Sequence, residues 1–109
     1  MNKNRRNAIR KEIFSLKVAV ANNNIDVVNK KLTDIYNNVE FIYDQEEYYM
    51  ENIPENMQSG NKYEKAEEAC DNLRDAMDYI YDAKKCVDDK EELIKTVNKA
   101  IEHLLNATV

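Results

Sequence analysis

Residues that build turns are almost absent from this chain. Of its 109 residues, one is glycine, one is proline and none is tryptophan. Folds with many tight reversals, such as β-sandwiches and barrels, depend on turn-forming residues and are therefore disfavoured. No segment alternates apolar and polar residues between turn signals, as a half-buried strand does. We expect an all-α fold in a single helical domain that spans residues 1–109.

Cysteine and histidine are also scarce, which removes most catalytic and metal-binding chemistry. Cys70 and Cys86 are 16 positions apart on one predicted helix. Their Cα atoms are then about 24 Å apart, too far for a disulfide bond. His103, the one histidine, has no cysteine or serine at a spacing typical of a catalytic pair, and we expect it at the surface. Because phosphate-binding glycine loops and Glu-x-x-His motifs are missing as well, we expect no enzyme activity, no metal and no cofactor.

Long apolar runs are missing too. A membrane-spanning helix needs about 20 mainly apolar residues, and no stretch of this sequence approaches that. No signal peptide is recognisable either. Two unpaired thiols suit a reducing compartment, so we expect a cytoplasmic protein with no membrane contact.

Charge is unevenly distributed along the chain. The net charge is −5, yet residues 1–17 carry a net +5 and the remainder a net −10. Asymmetry of this kind suggests charged partners, although the simpler interpretation is that a basic first helix neutralises acidic helices of its own bundle. Direct binding of nucleic acid is not expected, because the whole chain is acidic and Phe14 is the one aromatic residue among the basic ones.

The apolar pattern predicts a long antiparallel helical hairpin. Two runs of positions, each stepping by threes and fours, mirror each other so that paired residue numbers sum to 115. Such steps trace one face of a helix. The mirror point falls in the segment that holds both Pro54 and Gly60, so helices are expected over about 24–53 and 61–86. The pairs are Val28/Val87, Leu32/Ala83, Ile35/Ile80, Val39/Ala76, Ile42/Leu73, Glu46/Ala69, Tyr49/Ala66 and Ile53/Lys62.

Shorter helices are expected to flank this hairpin and to complete a four-helix-bundle-like fold. The first runs over about 5–21, and three asparagines at 22–24 end it. Near Asp89, capping-box spacing indicates the start of a fourth helix, whereas the apolar rhythm passes through and indicates a third helix that continues to about residue 105. We favour the break, because a short fourth helix can fold back beside the first. The expected inner face of the first helix is Ile9, Ile13, Leu16 and Val20, with Phe14 alongside.

The loop end of the hairpin, its tip, is expected to protrude. A first helix of about 25 Å covers the second only to about residue 41, which leaves roughly 43–72 uncovered. Within this region Glu46 falls in the apolar seam, where we expect either that Lys62 or Lys65 reaches it or that its carboxylate extends to solvent. Exposed aromatic and methionine side chains are typical of contact surfaces. The candidate partner-binding residues are Tyr43, Tyr48, Tyr49, Met50, Met57 and Tyr63.

A stripe of carboxylates follows the third helix on its expected solvent face, about 27 Å long. It is interpreted most simply as a solvated surface. Alternatively, regularly spaced carboxylates imitate the phosphates of a nucleic acid and occupy a basic groove of a target. The stripe consists of Glu64, Glu68, Asp71, Asp75, Asp78 and Asp82.

Three stretches of the hairpin resemble small acidic helical proteins of tailed bacteriophages and prophages. They are Asp-Gln-Glu-Glu at 44–47, Asn-Ile-Pro-Glu-Asn-Met-Gln at 52–58 and Glu-Glu-Ala-Cys-Asp-Asn-Leu at 67–73. The corresponding sequences of the family typically read Asp-Glu-Glu-Gln, Asn-Leu-Pro-Glu and Glu-Glu-Ala-x-Asp-Asn-Leu. This chain departs from the family at Tyr48 and Tyr49, where small or acidic residues are usual. The resemblance implies a phage origin, a bacterial cytoplasm and a shared hairpin tip, and it transfers no catalytic residue.

The leading hypothesis is a phage-encoded interaction module that binds a protein through its tip and inhibits a host defence factor or polymerase. The purpose rests on the resemblance alone. A first alternative is nucleic-acid mimicry by the carboxylate stripe. A second is an oligomeric sponge for a small nucleotide, with Arg5, Arg6 and tyrosines around the base. A homo-oligomer is left open.

Overall fold

The protein is described by a computed structural model of all 109 residues, and it is a bundle of four helices. Each helix packs on its neighbour in sequence, and α1 also packs on α4, which closes the bundle into an elongated body of 51 × 20 × 17 Å. The all-α expectation and the break before a fourth helix are confirmed. The elements are α1 Lys3–Ala21, α2 Ile25–Glu51, a 3-10 turn Glu55–Met57, α3 Asn61–Lys84 and α4 Lys90–Ala107.

Short polar side chains set where the helices begin. The Asn24 side chain accepts a hydrogen bond from the backbone of the first turn of α2, and the Asp89 side chain does the same for the Glu92 amide at 3.2 Å. Such caps satisfy amides that have no partner within the helix. The Lys90 ammonium also donates to the Asn22 carbonyl at 3.0 Å, which ties the start of α4 to the end of α1.

The hairpin is built as the mirrored pattern predicts. In five of the eight pairs both partners are buried, and these layers run from Leu32/Ala83 to Glu46/Ala69. The helices end two residues earlier than expected, at Glu51 and Lys84. Pro54 disfavours helical backbone at the residue before it, and the second end precedes the turn that leads to α4. The loop end of α2 and α3 therefore forms the tip.

All four helices contribute to one apolar core. On α1 the buried residues include Ile9, Ile13 and Leu16, as expected, but Ala19 replaces Val20 as the next fully buried position. The expectation that Phe14 lies alongside this face is wrong, because its side chain is 68% exposed. Phe14 follows Ile13 directly, so its side chain is rotated about 100° around the helix axis from that of Ile13. On α1 this rotation places Phe14 toward solvent.

The tip is less exposed than the sequence suggested. α1 begins at Lys3, and the guanidinium of Arg5 contacts Glu46, five residues beyond the expected limit of coverage at residue 41. The apolar core common to all four helices ends at Ile42 and Leu73. Beyond that layer Glu46 of α2 and Ala66, Ala69 and Cys70 of α3 are still buried, outside the common core.

Ile80 and Ile94 offer a matched test of this core. Ile80 is fully buried between helices, whereas Ile94 is 39% exposed on α4. We expect Ile80→Ala to lower the free energy of unfolding by about 2–5 kcal/mol, since it leaves a cavity. Ile94→Ala should cost about 1 kcal/mol or less. Urea denaturation of both variants checks this, and equal losses would contradict the packing described.

Candidate functional site

A groove opens at the tip, between the start of α1, the last turns of α2 and the connection to α3. Its volume is about 780 Å³, within the roughly 300–1,000 Å³ that is common for ligand sites. We call it the tip groove. Its walls are Arg5, Phe41, Asp44, Gln45, Tyr48, Tyr49, Asn52, Ile53, Pro54, Met57 and Lys62.

Exposed apolar side chains form the outer part of the tip groove. Phe41 and Tyr48 lie seven residues apart on the outward face of α2, and their side chains are 64% and 71% exposed. Met57, from the 3-10 turn, is 50% exposed and approaches the groove from the connecting segment. Large apolar groups left in water are individually ordinary, but three around one concavity suit a contact site.

Arg5 lines the groove and forms an ion pair with Glu46, which is buried and is not part of the lining. The Nε atom of Arg5 donates to an oxygen of Glu46 at 3.3 Å, and the Arg5 side chain is only 15% exposed. Its guanidinium carbon also lies 5.4 Å from the centre of the Tyr49 ring, a cation–π contact. Glu46 and Tyr49 are three residues apart on one face of α2, so both contact the same guanidinium, one as its ion-pair partner and the other through its ring.

Glu46 is fully buried, and its second carboxylate oxygen has no hydrogen-bond partner. The expectation that Lys62 or Lys65 would reach it is wrong, since Arg5 takes that position from α1. A second mirrored pattern could have revealed this. Residue numbers of buried pairs across α1 and α2, such as Ile9/Ile42, sum to 51, and so do those of Arg5 and Glu46.

The structure separates the six candidate tip residues into two groups. Tyr48, Tyr49 and Met57 line the tip groove. Three others are half-buried and lie outside it: Tyr43, Met50 and Tyr63. Sequence reasoning did not single out Phe41, although its position seven residues before Tyr48 was a usable signal.

Tyr43 is turned toward α3 and is held there by its neighbours. Its hydroxyl donates to the Glu47 carboxylate at 2.6 Å, and the Arg74 guanidinium lies over its ring at 5.8 Å. The hydrogen bond to Glu47, together with burial, raises the pKa of Tyr43 to about 12. Tyr43 therefore stays neutral at physiological pH and belongs to the packing between α2 and α3.

Both cysteines are free thiols. Burial, with the nearby carboxylates of Glu46 and Glu47, raises the pKa of Cys70 to about 12. Burial also raises the pKa of Cys86. Neither thiol is therefore disposed to act as a nucleophile near neutral pH.

The carboxylate stripe of α3 is exposed along its whole length, from Glu64 to Asp82. It is not a continuous row of free charges, because Asp71 accepts a hydrogen bond from Arg74 at 2.6 Å. The stripe thus combines solvated carboxylates with a local pair.

His103 is half-buried rather than at the open surface, where the sequence placed it. Its Nδ1 lies 3.0 Å from the side-chain oxygen of Asn72, and its ring stacks on Tyr79. The imidazole therefore belongs to the contact between α3 and α4.

A smaller depression of about 270 Å³ lies further along the same pair of helices. Phe14 and Val18 of α1 border it, opposite Asp34 and Asn38 of α2. On α2 the residues of both concavities follow one face at steps of three and four. The tip groove and this depression therefore share one side of the bundle.

No group of three histidine, cysteine or acidic side chains in the structure is placed to hold a metal ion. No helix is both long enough and apolar enough to cross a membrane. Comparison with family models, with curated proteins and with solved structures finds no match to this chain.

Removing the Arg5 guanidinium should destabilise the fold, because it leaves the buried Glu46 carboxylate without its ion-pair partner. We expect Arg5→Met to lower the free energy of unfolding by about 3 kcal/mol, because Glu46 is then buried without a partner. The double variant Arg5→Met/Glu46→Leu should recover most of this loss. Arg10→Met, on the exposed side of α1, is the matched control. Urea denaturation measures all three, and an Arg5→Met variant as stable as the control would contradict the role given to the pair.

Tyr43 should be the last tyrosine to ionise. Folding raises its pKa above the ordinary value of 10.0, so the stability it contributes is complete below about pH 10 and is lost as pH rises through about 12. Ultraviolet titration of tyrosinate should show this late step, and Tyr43→Phe should remove it. Glu47→Gln should move it to lower pH. If all 7 tyrosines of the folded protein ionise together near pH 10, the assignment fails.

Proposed function

We propose that this chain is a non-enzymatic interaction module that binds a protein partner through the tip groove. The observation that carries the proposal is the grouping of Phe41, Tyr48 and Met57, all at least half exposed, around one concavity of about 780 Å³. Aromatic residues and methionine are enriched at the centres of interfaces. Aromatic rings bury a large area, and the flexible thioether of methionine adapts to an irregular partner surface.

The shape of the site favours a helical or extended segment as the bound element. The exposed residues of α2 run along its axis, and the second depression beside Phe14 continues the same side of the bundle. A helix laid along such a surface contacts it through residues at spacings of three, four and seven. A groove of about 780 Å³ has room for a few anchoring side chains of such a segment.

The resemblance to phage proteins adds a context to this proposal. In that context the chain is phage-encoded, acts in the bacterial cytoplasm and binds a host or phage protein, with inhibition of a defence factor or polymerase as its purpose. The tip, which carries the resemblance at 52–58, also carries Ile53, Pro54 and Met57 of the groove.

Nucleic-acid mimicry by the α3 carboxylates has weaker support. A mimic presents carboxylates in place of phosphates, and the hydrogen bond between Asp71 and Arg74 offsets the charge of one of the six. The rival remains testable beside the main proposal, since its residues lie on α3 and do not line the tip groove.

Tyr48→Ala should weaken partner binding about 30-fold without unfolding the protein. Tyr48 is 71% exposed, so its removal leaves no cavity, whereas truncation of an aromatic anchor weakens binding by roughly 2 kcal/mol, about 30-fold. Tyr81→Ala is the matched control, because Tyr81 is 52% exposed on α3 and lies outside the groove. Proteins retained from bacterial lysate by the wild type are purified and their affinities for each variant are measured.

Two outcomes would oppose the proposal. A partner that binds Tyr48→Ala as tightly as the wild type does not use the tip groove. A partner lost only with Asp75→Lys/Asp78→Lys, and released steeply by moderate salt, would support mimicry instead.

A further inference from the structure

The Arg5 guanidinium has donors that the protein does not use. Of its five N–H groups, only the one on Nε has an acceptor, the Glu46 carboxylate. No hydrogen bond joins its terminal nitrogens to a protein atom, and Arg5 forms part of the wall of the tip groove. Arg5 therefore brings to the wall of the tip groove hydrogen-bond donors that no protein atom accepts.

This guanidinium is held in place before any partner arrives. Glu46 fixes one edge at 3.3 Å and the Tyr49 ring supports one face at 5.4 Å. With 15% of the side chain exposed, Arg5 has little freedom left to lose on binding. A planar group with two terminal nitrogens in a fixed orientation matches the geometry of a carboxylate.

The cations and carboxylates at the groove balance in number, so an anion is favoured there by the unused donors of Arg5 and not by net charge. Lys62 of α3 also lines the groove and adds a second cation. Asp44 is the one carboxylate in the lining, and it is about 140° around α2 from Tyr49, away from the side that Arg5 occupies. Glu46 offsets the net charge of Arg5 from behind, so recognition depends on hydrogen-bond direction more than on long-range attraction.

We infer that the tip groove recognises a protein segment that carries a carboxylate next to apolar side chains. The carboxylate would accept hydrogen bonds from the terminal nitrogens of Arg5, with Lys62 nearby. The apolar side chains would fill the space among Phe41, Tyr48 and Met57. This inference rests on the proposed function and specifies the chemistry of its partner.

A displayed library of randomised short peptides tests the inference even while the natural partner is unidentified. The library is selected on the wild type and on Tyr48→Ala, and peptides enriched on the wild type are sequenced. We expect them to carry Asp or Glu within one helical turn of an aromatic residue, Leu or Met. One such peptide and its Glu→Gln form are then measured by calorimetry.

The expected result is a coupling between the peptide carboxylate and Arg5. The acidic peptide should bind the wild type about tenfold more tightly than its Glu→Gln form. That difference should vanish on Arg5→Met/Glu46→Leu, which removes the ion pair without leaving a buried charge. Lys62→Ala, at an exposed site, should reduce it severalfold and serves as a second variant should the double variant unfold.

Failure of the inference and failure of the proposed function give different results. If no peptide is enriched on the wild type over Tyr48→Ala, the groove binds no protein segment, and both the inference and the proposed function are overturned. If peptides are enriched without a carboxylate, or bind equally after Glu→Gln, only the inference is overturned. It is also overturned if sedimentation shows a dimer that Tyr48→Ala dissociates, since a second copy of the chain would then occupy the groove.

Discussion

The hairpin helices α2 and α3, of 27 and 24 residues, pack beside helices of only 19 and 18 residues. A four-helix bundle covers each apolar face only as far as its neighbours extend, so one end of the longer pair must lack part of its cover. The apolar core common to all four helices accordingly ends at Ile42 and Leu73. The concavity at the tip, with its exposed aromatic side chains, is a direct consequence of this mismatch in length.

At the layer where the common core ends, a buried ion pair replaces apolar packing. Glu46 occupies a seam position and would be costly there as an unpartnered charge. Arg5 reaches it from the first turns of α1, and this contact defines how far α1 extends along α2. The same guanidinium then forms the inner wall of the tip groove, so one interaction supports both the fold and the candidate site.

The fold followed from the sequence because it depends on a repeated pattern. Each buried layer of the hairpin adds another pair at a helical spacing, so the prediction does not depend on any single pair. Lys62, for example, is exposed rather than buried with Ile53, and the other layers are unaffected. The break before α4 was also foreseeable, since Asp89 caps it locally. The site is different: it depends on single side chains from α1, α2, the 3-10 turn and α3, and no repetition marks them. Tyr43 and Tyr48 are equally apolar in sequence, yet one is hydrogen-bonded to Glu47 and the other lies in water.

By itself, the sequence determined the all-α class, the position of the reversal near Pro54 and Gly60 and the buried face of each hairpin helix, because these depend on residue spacing and local capping. It favoured a break before a fourth helix without deciding it. The tertiary structure alone decided that Arg5 rather than a lysine reaches Glu46, and that Phe41, Tyr48 and Met57 surround one groove. The groove brings together residues as distant in sequence as Arg5 and Met57. They share it only when α1 packs antiparallel to α2. Local chemistry specifies the elements, while the relative reach of the packed helices specifies which side chains meet.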